Sequence, residues 1–176
     1  MLKFMPNGIN AATISVNLSP RQLIKDDFIQ RIKAIVNLTG IDVSRVTLEI
    51  TENILISDLE DVSPILKQLQ ELGFGISLDD FGTGYSSLSY LNILPITEIK
   101  IDRSFINSLF INEQSETLVK AIIAIGASCQ MKVVAEGIET KEQLDTLVEY
   151  KCDLAQGYFF DKRLSIDELC IKYFKS

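Results

Sequence analysis

Six short apolar runs recur along the chain, and each of them meets a polar or charged residue as it ends. These residues are Asn17, Glu49, Asp79 with Asp80, Lys100 with Asp102, Glu136 and Gln156. Most of the intervals between them can hold one helix and two loops. Parallel strands connected by helices bring their carboxyl ends to one rim, where a (β/α) barrel builds its site. The pattern therefore predicts an α/β fold in which these polar side chains converge.

Apolar residues at helical spacing occupy the intervals between the runs. The spacing of Phe28, Ile32 and Val36 predicts one helix, and Gly40 ends it. Further helices are predicted over 62–72, over 118 to about 130, after a Thr140 N-cap, after Ser165, and as a short segment over 86–94. The alternation of strands and helices predicts a parallel sheet without a second domain.

Composition narrows the class of protein. The 176 residues are enough for one domain with a substantial core. The 17 basic and 24 acidic side chains give a net charge of −7, which argues against a protein that coats duplex nucleic acid. No apolar stretch approaches the ~20 residues of a membrane-spanning helix, and Pro6 interrupts the N-terminus too early for a secretory signal. We therefore expect a cytoplasmic location, no membrane segment in this chain and no duplex nucleic acid as a partner.

Cysteine and histidine usage limits the chemistry. Cys129, Cys152 and Cys170 form no Cys-x-x-Cys motif, so we expect reduced thiols rather than a zinc ribbon. The chain has no histidine, which excludes Ser-His-Asp catalysis, Cys-His catalysis and histidine-ligated zinc. Any metal must therefore be held by oxygen atoms, and such sites favour Mg²⁺, Mn²⁺ or Ca²⁺.

The sharpest local signal is a pair of adjacent carboxylates at a strand end. Asp79 and Asp80 are followed by a loop that contains Gly82 and Gly84, which permit tight turns and close approach to a ligand. Neighbouring residues of a strand point to opposite faces, so both acids can reach one metal region only where the strand ends. The alternative is an Asx-type turn with two solvated acids.

Two other strands carry charge among apolar residues. Glu49 lies inside an apolar strand, where a buried carboxylate needs a cation or a lysine as partner; the alternative is a surface-facing position. Lys100 and Asp102 alternate with isoleucines and can simply form a salt bridge with each other. Functionally, Lys100 would neutralise a carboxylate cluster or orient an attacking water. Glu52, three residues after Glu49, is expected to cap or brace a loop.

The remaining candidates lie at strand ends and at one helix start. Glu136 suits a general base or a metal ligand, and the amides Asn17 and Gln156 can each offer a carbonyl oxygen. Either amide can instead be an ordinary hydrogen-bonding loop residue. Arg21 can form a bidentate contact with a phosphate or a guanine edge, or it can be a solvated arginine at the start of a helix.

Taken together, these segments resemble the EAL domain family, bacterial phosphodiesterases of cyclic di-GMP. The matching motifs are VNLSPRQL (16–23), LEITE (48–52), DDFGTG (79–84), KIDRSF (100–105), VAEGIE (134–139) and QGYFF (156–160). They follow the order of the family and cover nearly the whole chain. The resemblance implies a TIM-barrel-like (β/α)₈ fold and metal-dependent hydrolysis of cyclic di-GMP to linear pGpG, with Mg²⁺ or Mn²⁺ as cofactor.

The resemblance also implies a role for each candidate residue. Metal ligands are Asn17, Glu49, Asp79 and Asp80; catalytic residues are Glu136, Lys100 and Gln156; substrate-binding residues are Arg21 and Asp102; and loop support comes from Glu52, Gly82 and Gly84. Glu52 matches the acid that braces the loop over 80–84. Lys100 and Glu136 match the residues that position or deprotonate the attacking water.

One departure from the family pattern changes the expectation. The tripeptide Glu-Ala-Leu is absent from the sequence, so the metal site lacks one carboxylate. We expect residues 1–176 to be a single partial EAL domain with about six of eight strands, and with unpaired edges that favour a homo-oligomer. A full protein would add an upstream sensory or GGDEF domain. The alternatives to an active phosphodiesterase are a catalytically impaired cyclic di-GMP binding or regulatory module, and a fragment that is stable only as an oligomer.

Overall fold

Six parallel strands form the framework of the molecule. The computed structural model describes residues 2–3, 13–52, 59–83 and 88–173. Within those ranges, seven strands form one sheet in chain order: β1 (Leu2–Lys3), β2 (Thr13–Asn17), β3 (Val46–Thr51), β4 (Gly75–Phe81), β5 (Glu98–Ile101), β6 (Lys132–Ala135) and β7 (Leu154–Ala155). Strands β2 to β7 are mutually parallel and curl into a half-barrel. The prediction of an incomplete TIM-barrel-like α/β fold with about six strands is confirmed.

Helices connect the parallel strands. Within the described ranges they are α1 (Pro20–Leu23), α2 (Phe28–Thr39), α3 (Leu59–Glu71), α4 (Arg103–Asn107), α5 (Glu113–Ser128), α6 (Lys141–Glu149) and α7 (Ile166–Tyr173), with 3₁₀ turns at Val43–Arg45 and Leu88–Asn92. The predicted helices over 28–39, 62–72, 118–130, after Thr140 and after Ser165 are confirmed. The segment predicted over 86–94 is a 3₁₀ turn where it is described, and residues 86 and 87 lie outside the described part. None of the described helices has the length and apolar character that crossing a bilayer requires.

Local sequence chemistry explains where these helices begin and end. Gly40 ends α2 in the left-handed conformation, with φ of 62°. Thr140 caps α6 through a reciprocal capping box with Gln143, as predicted. The Gln143 side chain also donates to the Ile106 carbonyl at 3.3 Å, which ties α6 to α4.

The two faces of the sheet differ in chemistry. Strand residues such as Ile50, Leu78, Ile99 and Val133 are fully buried and belong to one continuous apolar core. Alternate positions carry buried polar side chains: Ser15, Glu49, Ser77, Glu98 and Lys100. Because side chains alternate between faces along a strand, the apolar set faces the helices and the polar set faces the inside of the half-barrel. The candidate site lies on that polar face.

The edge beside β2 differs from the prediction. We expected this edge to be unpaired, but β1 pairs with it in antiparallel fashion, Leu2 opposite Ile14 and Lys3 opposite Thr13. The prediction is therefore wrong for this end of β2, because two residues near the N-terminus supply the missing backbone partners. The side chains of Ile14 and Val16 remain 45% and 43% exposed. An apolar stripe is thus accessible along this edge.

Candidate active site

An ammonium group surrounded by three carboxylates forms the centre of the site. The Nζ atom of Lys100 lies 3.1 Å from Glu49 Oε2, 2.9 Å from Asp79 Oδ1 and 2.6 Å from Glu136 Oε1. The Lys100 side chain is 4% exposed, and those of Glu49, Asp79 and Glu136 are 5%, 15% and 17% exposed. Three anions around one cation leave an excess of negative charge in a largely buried space, which attracts further cations.

Strand register brings these residues together. Asn17 of β2 lies directly opposite Glu49 of β3, and Asp79 of β4 lies opposite Thr51. Glu136 directly follows β6, and its N–H donates to the carbonyl of Ile101 on β5. Residues that are far apart in the sequence therefore meet at the carboxyl ends of neighbouring parallel strands, as the pattern of apolar runs predicts.

A local distortion of β4 allows both of its adjacent acids to face the site. Asp80 has φ of 57°, a left-handed conformation that is uncommon for a residue other than glycine. The β4–β5 register shifts between Leu78 and Phe81 at this point. As a result, carboxylate oxygens of Asp79, Asp80 and Glu136 lie within 4.8 Å of one another. This bend explains how Asp79 and Asp80, which are neighbours in one strand, can both reach the same metal region.

Side chains and backbone groups around Asp80 hold the bend in place. Thr83 donates to the Asp80 carbonyl through its hydroxyl at 2.8 Å and its N–H at 3.3 Å. Gly82 has φ of 93°, and a Cβ there would lie 3.2 Å from the Phe105 ring. The Gly82 N–H donates to Glu52 Oε2 at 3.3 Å, the contact expected of a brace. Gly84, the other predicted loop residue, lies outside the described residues.

The loops after β6 and β7 are tightly joined. The Gln156 N–H donates to the Ala135 carbonyl at 2.8 Å, and its own carbonyl accepts from the Ile138 N–H at 3.0 Å. A Cβ on Gly157 would lie 2.1 Å from the Ile138 carbonyl oxygen, so only glycine permits this approach. The junction places Gln156 beside the loop that begins at Glu136.

Burial and charge shift the ionisation of the central groups. Burial raises the pKa of Glu136, against the opposing charge of Lys100. Burial, followed by the negative charges of Asp79 and Asp102, raises the pKa of Asp80. Burial alone would lower the pKa of Lys100, but the neighbouring carboxylates outweigh it and the pKa lies above its ordinary value. Lys100 therefore stays cationic, whereas Glu136 and Asp80 accept protons more readily than ordinary acids.

Asp102 lies near the site but does not pair with Lys100. Strand β5 ends at Ile101, and Asp102 is the N-cap of α4, where its carboxylate accepts from the Ser104 N–H at 2.9 Å and from the Ser104 hydroxyl. No Lys100–Asp102 ion pair occurs in the described part of the chain, because Lys100 is engaged by three closer carboxylates. The simple alternative of a salt bridge between these two residues is wrong.

The two candidates near the N-terminal end of the chain are accessible. Asn17 is exposed at the end of β2, and Arg21 is exposed on α1. Since Asn17 is the register partner of Glu49, its amide lies at the rim of the site. Arg21 follows four residues later, in the helix that begins three residues after β2 ends.

The donor set fits a divalent cation. Glu49 Oε1 and Gln156 Oε1 are buried and have no hydrogen-bond partner, which is costly unless a ligand satisfies them. The cluster of Asp79, Asp80 and Glu136 adds carboxylate oxygens. All these donors are hard oxygen atoms, which suit Mg²⁺, Mn²⁺ or Ca²⁺.

Tyr90 is a neighbour of the site that sequence reasoning missed. Its hydroxyl donates to Glu52 Oε1 at 3.1 Å, and its side chain is 4% exposed. The two residues are 38 positions apart, so no local pattern connects them. The available signal was a tyrosine between the leucines at 88 and 91, together with the requirement of a buried glutamate for hydrogen-bond donors.

Comparison with known proteins places this site in a family. The EAL domain family matches residues 1–163. The chain is 37% identical over 169 residues to the oxygen sensor protein DosP of Escherichia coli, covering 96% of this chain and 21% of DosP. It is 38% identical over 162 residues to the cyclic di-GMP phosphodiesterase NbdA of Pseudomonas aeruginosa, covering 92% and 21%. The chain thus spans about a fifth of the length of these curated relatives.

Solved structures show the same architecture. The PaMucR phosphodiesterase in complex with c-di-GMP superposes with a TM-score of 0.86 at 39% identity, covering 89% of this chain and 64% of that one. BlrP1 of Klebsiella pneumoniae in a calcium/cy-diGMP complex superposes with a TM-score of 0.79 at 27% identity, covering 86% and 39%. A manganese/cy-diGMP complex of BlrP1 matches as well. Divalent cations therefore accompany this architecture in a structural neighbour.

Proposed function

Because the chain belongs to the EAL domain family, we propose that it hydrolyses one phosphodiester bond of cyclic di-GMP and releases linear pGpG, with Mg²⁺ or Mn²⁺ as cofactor. We further propose that residues 1–176 are a single partial EAL domain. The names of NbdA and PaMucR as phosphodiesterases and the c-di-GMP in the PaMucR complex support the choice of reaction and substrate. The absence of histidine and the all-oxygen donor set support a cofactor of this kind.

The observation that carries the proposal is the convergence of four strand ends on one acidic space. Carboxylates from β3, from β4 and from the end of β6 surround Lys100 of β5. This arrangement differs from an ordinary cluster of surface acids in two ways. The charged side chains are largely buried, and the buried oxygens Glu49 Oε1 and Gln156 Oε1 have no hydrogen-bond partner. Buried charge without a structural explanation is typical of functional sites.

We assign the metal-ligand role to Asn17, Glu49, Asp79 and Asp80. Their oxygens are supplied by adjacent strands, and the left-handed bend at Asp80 brings two consecutive carboxylates to one place. When bound there, a divalent cation would lower the pKa of the attacking water and stabilise the charge of an in-line phosphoryl transition state.

Glu136, Lys100 and Gln156 would handle the water and its proton. Glu136 accepts a proton from the water at its carboxylate, a role that its raised pKa suits. Lys100 holds the Glu136 carboxylate at 2.6 Å and keeps it oriented. The water oxygen bonds to phosphorus, the P–O3′ bond breaks, and the proton passes to the leaving 3′ oxygen. Each turnover consumes one water and releases pGpG.

Arg21 and Asp102 are proposed as the substrate-binding residues. The exposed guanidinium of Arg21 can contact a phosphate or a guanine edge of cyclic di-GMP. Asp102 is half-buried and close enough to Asp80 to raise its pKa, so it lies beside the reacting centre. Its carboxylate can accept a hydrogen bond from a guanine N–H.

A hydrolysis assay tests the proposal. The chain is incubated with cyclic di-GMP and Mg²⁺ or Mn²⁺, with EDTA as the negative control, and pGpG is quantified by chromatography. A second sample carries an N-terminal extension with a Glu-Ala-Leu segment, which adds one carboxylate. We expect metal-dependent pGpG in both samples, with a higher rate in the extended one. A lack of pGpG in both would overturn the proposed activity.

A second candidate function is a cyclic di-GMP binding or regulatory module without turnover. The three salt bridges of Lys100 favour it, since its ammonium group already supplies positive charge to the carboxylates that would bind a cation. Calorimetry separates the two: binding of cyclic di-GMP without any pGpG in the hydrolysis assay supports the module, and pGpG release rejects it.

We also propose an upstream domain, a homo-oligomeric state and a cytoplasmic location for the full protein. Relatives such as DosP are much longer than the matched region, which supports a sensory or GGDEF domain upstream in the full protein. The exposed Ile14 and Val16 side chains on β2 support a homo-oligomer through this edge. A cytoplasmic location agrees with a nucleotide substrate.

A further inference from the structure

Tyr90 lies in the 3₁₀ turn over Leu88–Asn92 and contacts Glu52, which braces the bend at Asp80. We propose that Tyr90 is a positioning residue for the reaction: its hydroxyl orients Glu52, and Glu52 in turn holds the left-handed turn that brings Asp80 to the metal cluster. The expected effect on catalysis rests on the proposed function. The expected effect on the turn at Asp80 does not.

The contacts form one continuous connection. Tyr90 donates its hydroxyl to Glu52 Oε1 at 3.1 Å, while Glu52 Oε2 accepts from the Gly82 N–H at 3.3 Å. The two oxygens of one carboxylate therefore contact a residue that precedes positions 84–87 in the sequence, Gly82, and one that follows them, Tyr90. Gly82 is two residues beyond Asp80.

Both side chains of this connection are buried, so the loss of one hydrogen bond is not easily compensated by water. Glu52 is 2% exposed and Tyr90 is 4% exposed, so water is poorly placed to replace either partner. Both contacts are at the long end of the hydrogen-bond range, 3.1 Å for the Tyr90 hydroxyl and 3.3 Å for the Gly82 N–H, so the position of the Glu52 carboxylate depends on both donors. Loss of the Tyr90 hydroxyl would weaken the restraint on Glu52, and a glutamate in a new rotamer would release the Gly82 N–H.

The Asp80 turn depends on such restraint. A non-glycine residue at φ of 57° is held against its own preference. Thr83 contributes two hydrogen bonds to the Asp80 carbonyl from within the turn. Glu52 adds a hydrogen bond to the turn from another element, because it follows the end of β3. Through this route Tyr90, which is not among the metal-cluster residues, influences the position of a proposed ligand.

The test compares Tyr90→Phe with a matched control. Tyr150→Phe also removes a tyrosine–glutamate hydrogen bond, that between Tyr150 and Glu116 at 2.7 Å, but this pair joins α5 to the end of α6. Amide hydrogen exchange is measured for Gly82 and Thr83, with no metal or substrate needed. We expect these amides to exchange about tenfold faster in Tyr90→Phe and unchanged in Tyr150→Phe.

Metal and kinetic measurements form the second arm. Mn²⁺ affinity is measured by calorimetry, and we expect it to fall about tenfold in Tyr90→Phe, as for other residues that orient a ligand. The rate constant kcat should fall more than KM changes, since Arg21 and its contacts are untouched. Glu52→Gln and the double variant complete a cycle, and we expect non-additive effects because both residues act through one connection.

The outcomes separate this inference from the proposed function. Unchanged Gly82 exchange in a folded Tyr90→Phe protein overturns the inference, whatever the enzyme activity. Fully additive effects of Tyr90→Phe and Glu52→Gln on that exchange also overturn it. Faster Gly82 exchange in Tyr90→Phe, together with a wild-type chain that neither binds Mn²⁺ nor forms pGpG, would support the positioning role of Tyr90 and reject the proposed function.

Discussion

Individual side chains decide the electrostatics of this site. Lys100 is a buried cation with three carboxylates within 3.1 Å, and burial raises the pKa of Glu136 despite that cation. The carboxylates would repel one another without Lys100 or another positive charge. Predictions at this scale concern what happens when one charge is removed or neutralised.

Glu136→Gln tests the proposed proton acceptor. The amide keeps the size of the side chain but cannot take a proton, so pGpG formation should fall by at least about 100-fold. Cyclic di-GMP binding, measured by calorimetry, should remain largely intact. Glu139→Gln is the control, because Glu139 is an exposed glutamate of the same loop. Loss of the folded state in Glu136→Gln, seen by circular dichroism, would show that Glu136 is structural.

Lys100→Met tests the central cation. Removing one partner of a buried ion pair leaves uncompensated charge and destabilises by about 3–5 kcal/mol. We expect a lower thermal midpoint in EDTA and a partial recovery with Mn²⁺, which supplies positive charge to the same carboxylates. Lys120→Met is the control, since the Lys120–Glu116 pair is exposed and should matter little. Equal midpoints for both variants would argue against a structural role for Lys100.

The raised pKa values predict a pH dependence of metal binding. A carboxyl group with a raised pKa binds its proton more tightly, so protons compete with the cation at a higher pH than for an ordinary acid. Both Asp80 and Glu136 are shifted this way. Mn²⁺ affinity measured by calorimetry should therefore decrease as pH falls toward the usual glutamate value of 4.5, beginning well above it. A constant affinity down to that pH would contradict the prediction.

At the scale of elements, loops rather than strands set the fine geometry. The left-handed bend at Asp80 distorts the last residues of β4, and the junction between Gly157 and Ile138 joins the loops after β6 and β7. Each is followed or formed by a glycine, Gly82 or Gly157, whose Cβ would approach a neighbouring residue closely. Each loop carries a proposed site residue, so a small displacement there changes the distances within the cluster.

Gly157→Ala tests the loop junction. The added Cβ would lie 2.1 Å from the Ile138 carbonyl oxygen, so the loops must separate at a cost of about 1–3 kcal/mol. We expect a lower midpoint in urea unfolding and a larger loss of kcat than of cyclic di-GMP affinity. Gly75→Ala is the control, because its nearest neighbours are threonine side-chain oxygens at 3.2 and 3.5 Å. Equal effects of the two substitutions would mean that the junction has no special role.

At the scale of the whole molecule, the half-barrel leaves apolar side chains of β2 exposed. In the described part of the chain the parallel strands run from β2 to β7, and Ile14 and Val16 of β2 are about half exposed. Exposed apolar side chains that lie next to each other favour association with another chain.

Val16→Lys tests association through this edge. If the wild-type chain forms a homo-oligomer through β2, light scattering should show a larger mass for it than for Val16→Lys, because a charge at the contact opposes burial. Val148→Lys is the control, since Val148 is 66% exposed on α6 and away from the edge. A wild-type monomer at all measured concentrations would contradict the prediction.

Local patterns were sufficient to predict the six parallel strands and the longer helices between them. The alternation of apolar runs with helical segments predicted all six parallel strands, because each strand and helix is encoded by the spacing of its own residues. The polar residues at the strand ends were predicted as one group because parallel strands share a rim. Thr140 and Gly40 were correct as helix boundaries, since capping depends on neighbours within a few residues.

Contacts between distant residues were beyond those patterns. Three contacts join residues that are far apart in the chain: the salt bridges of Lys100 with three carboxylates, the hydrogen bond between Tyr90 and Glu52, and the pairing of β1 with β2. The left-handed conformation of Asp80 could not be predicted from local patterns either, because aspartate has only a weak intrinsic preference for it.

The sequence alone determined which residues could do the chemistry and in what order the strands carry them, since periodicity and residue type are local properties. Tertiary structure decided which carboxylates share one ammonium, which acid faces its neighbour, and which hydroxyl reaches the bracing glutamate. The physical reason is that burial and charge act through space, so they depend on distances that only the folded chain sets.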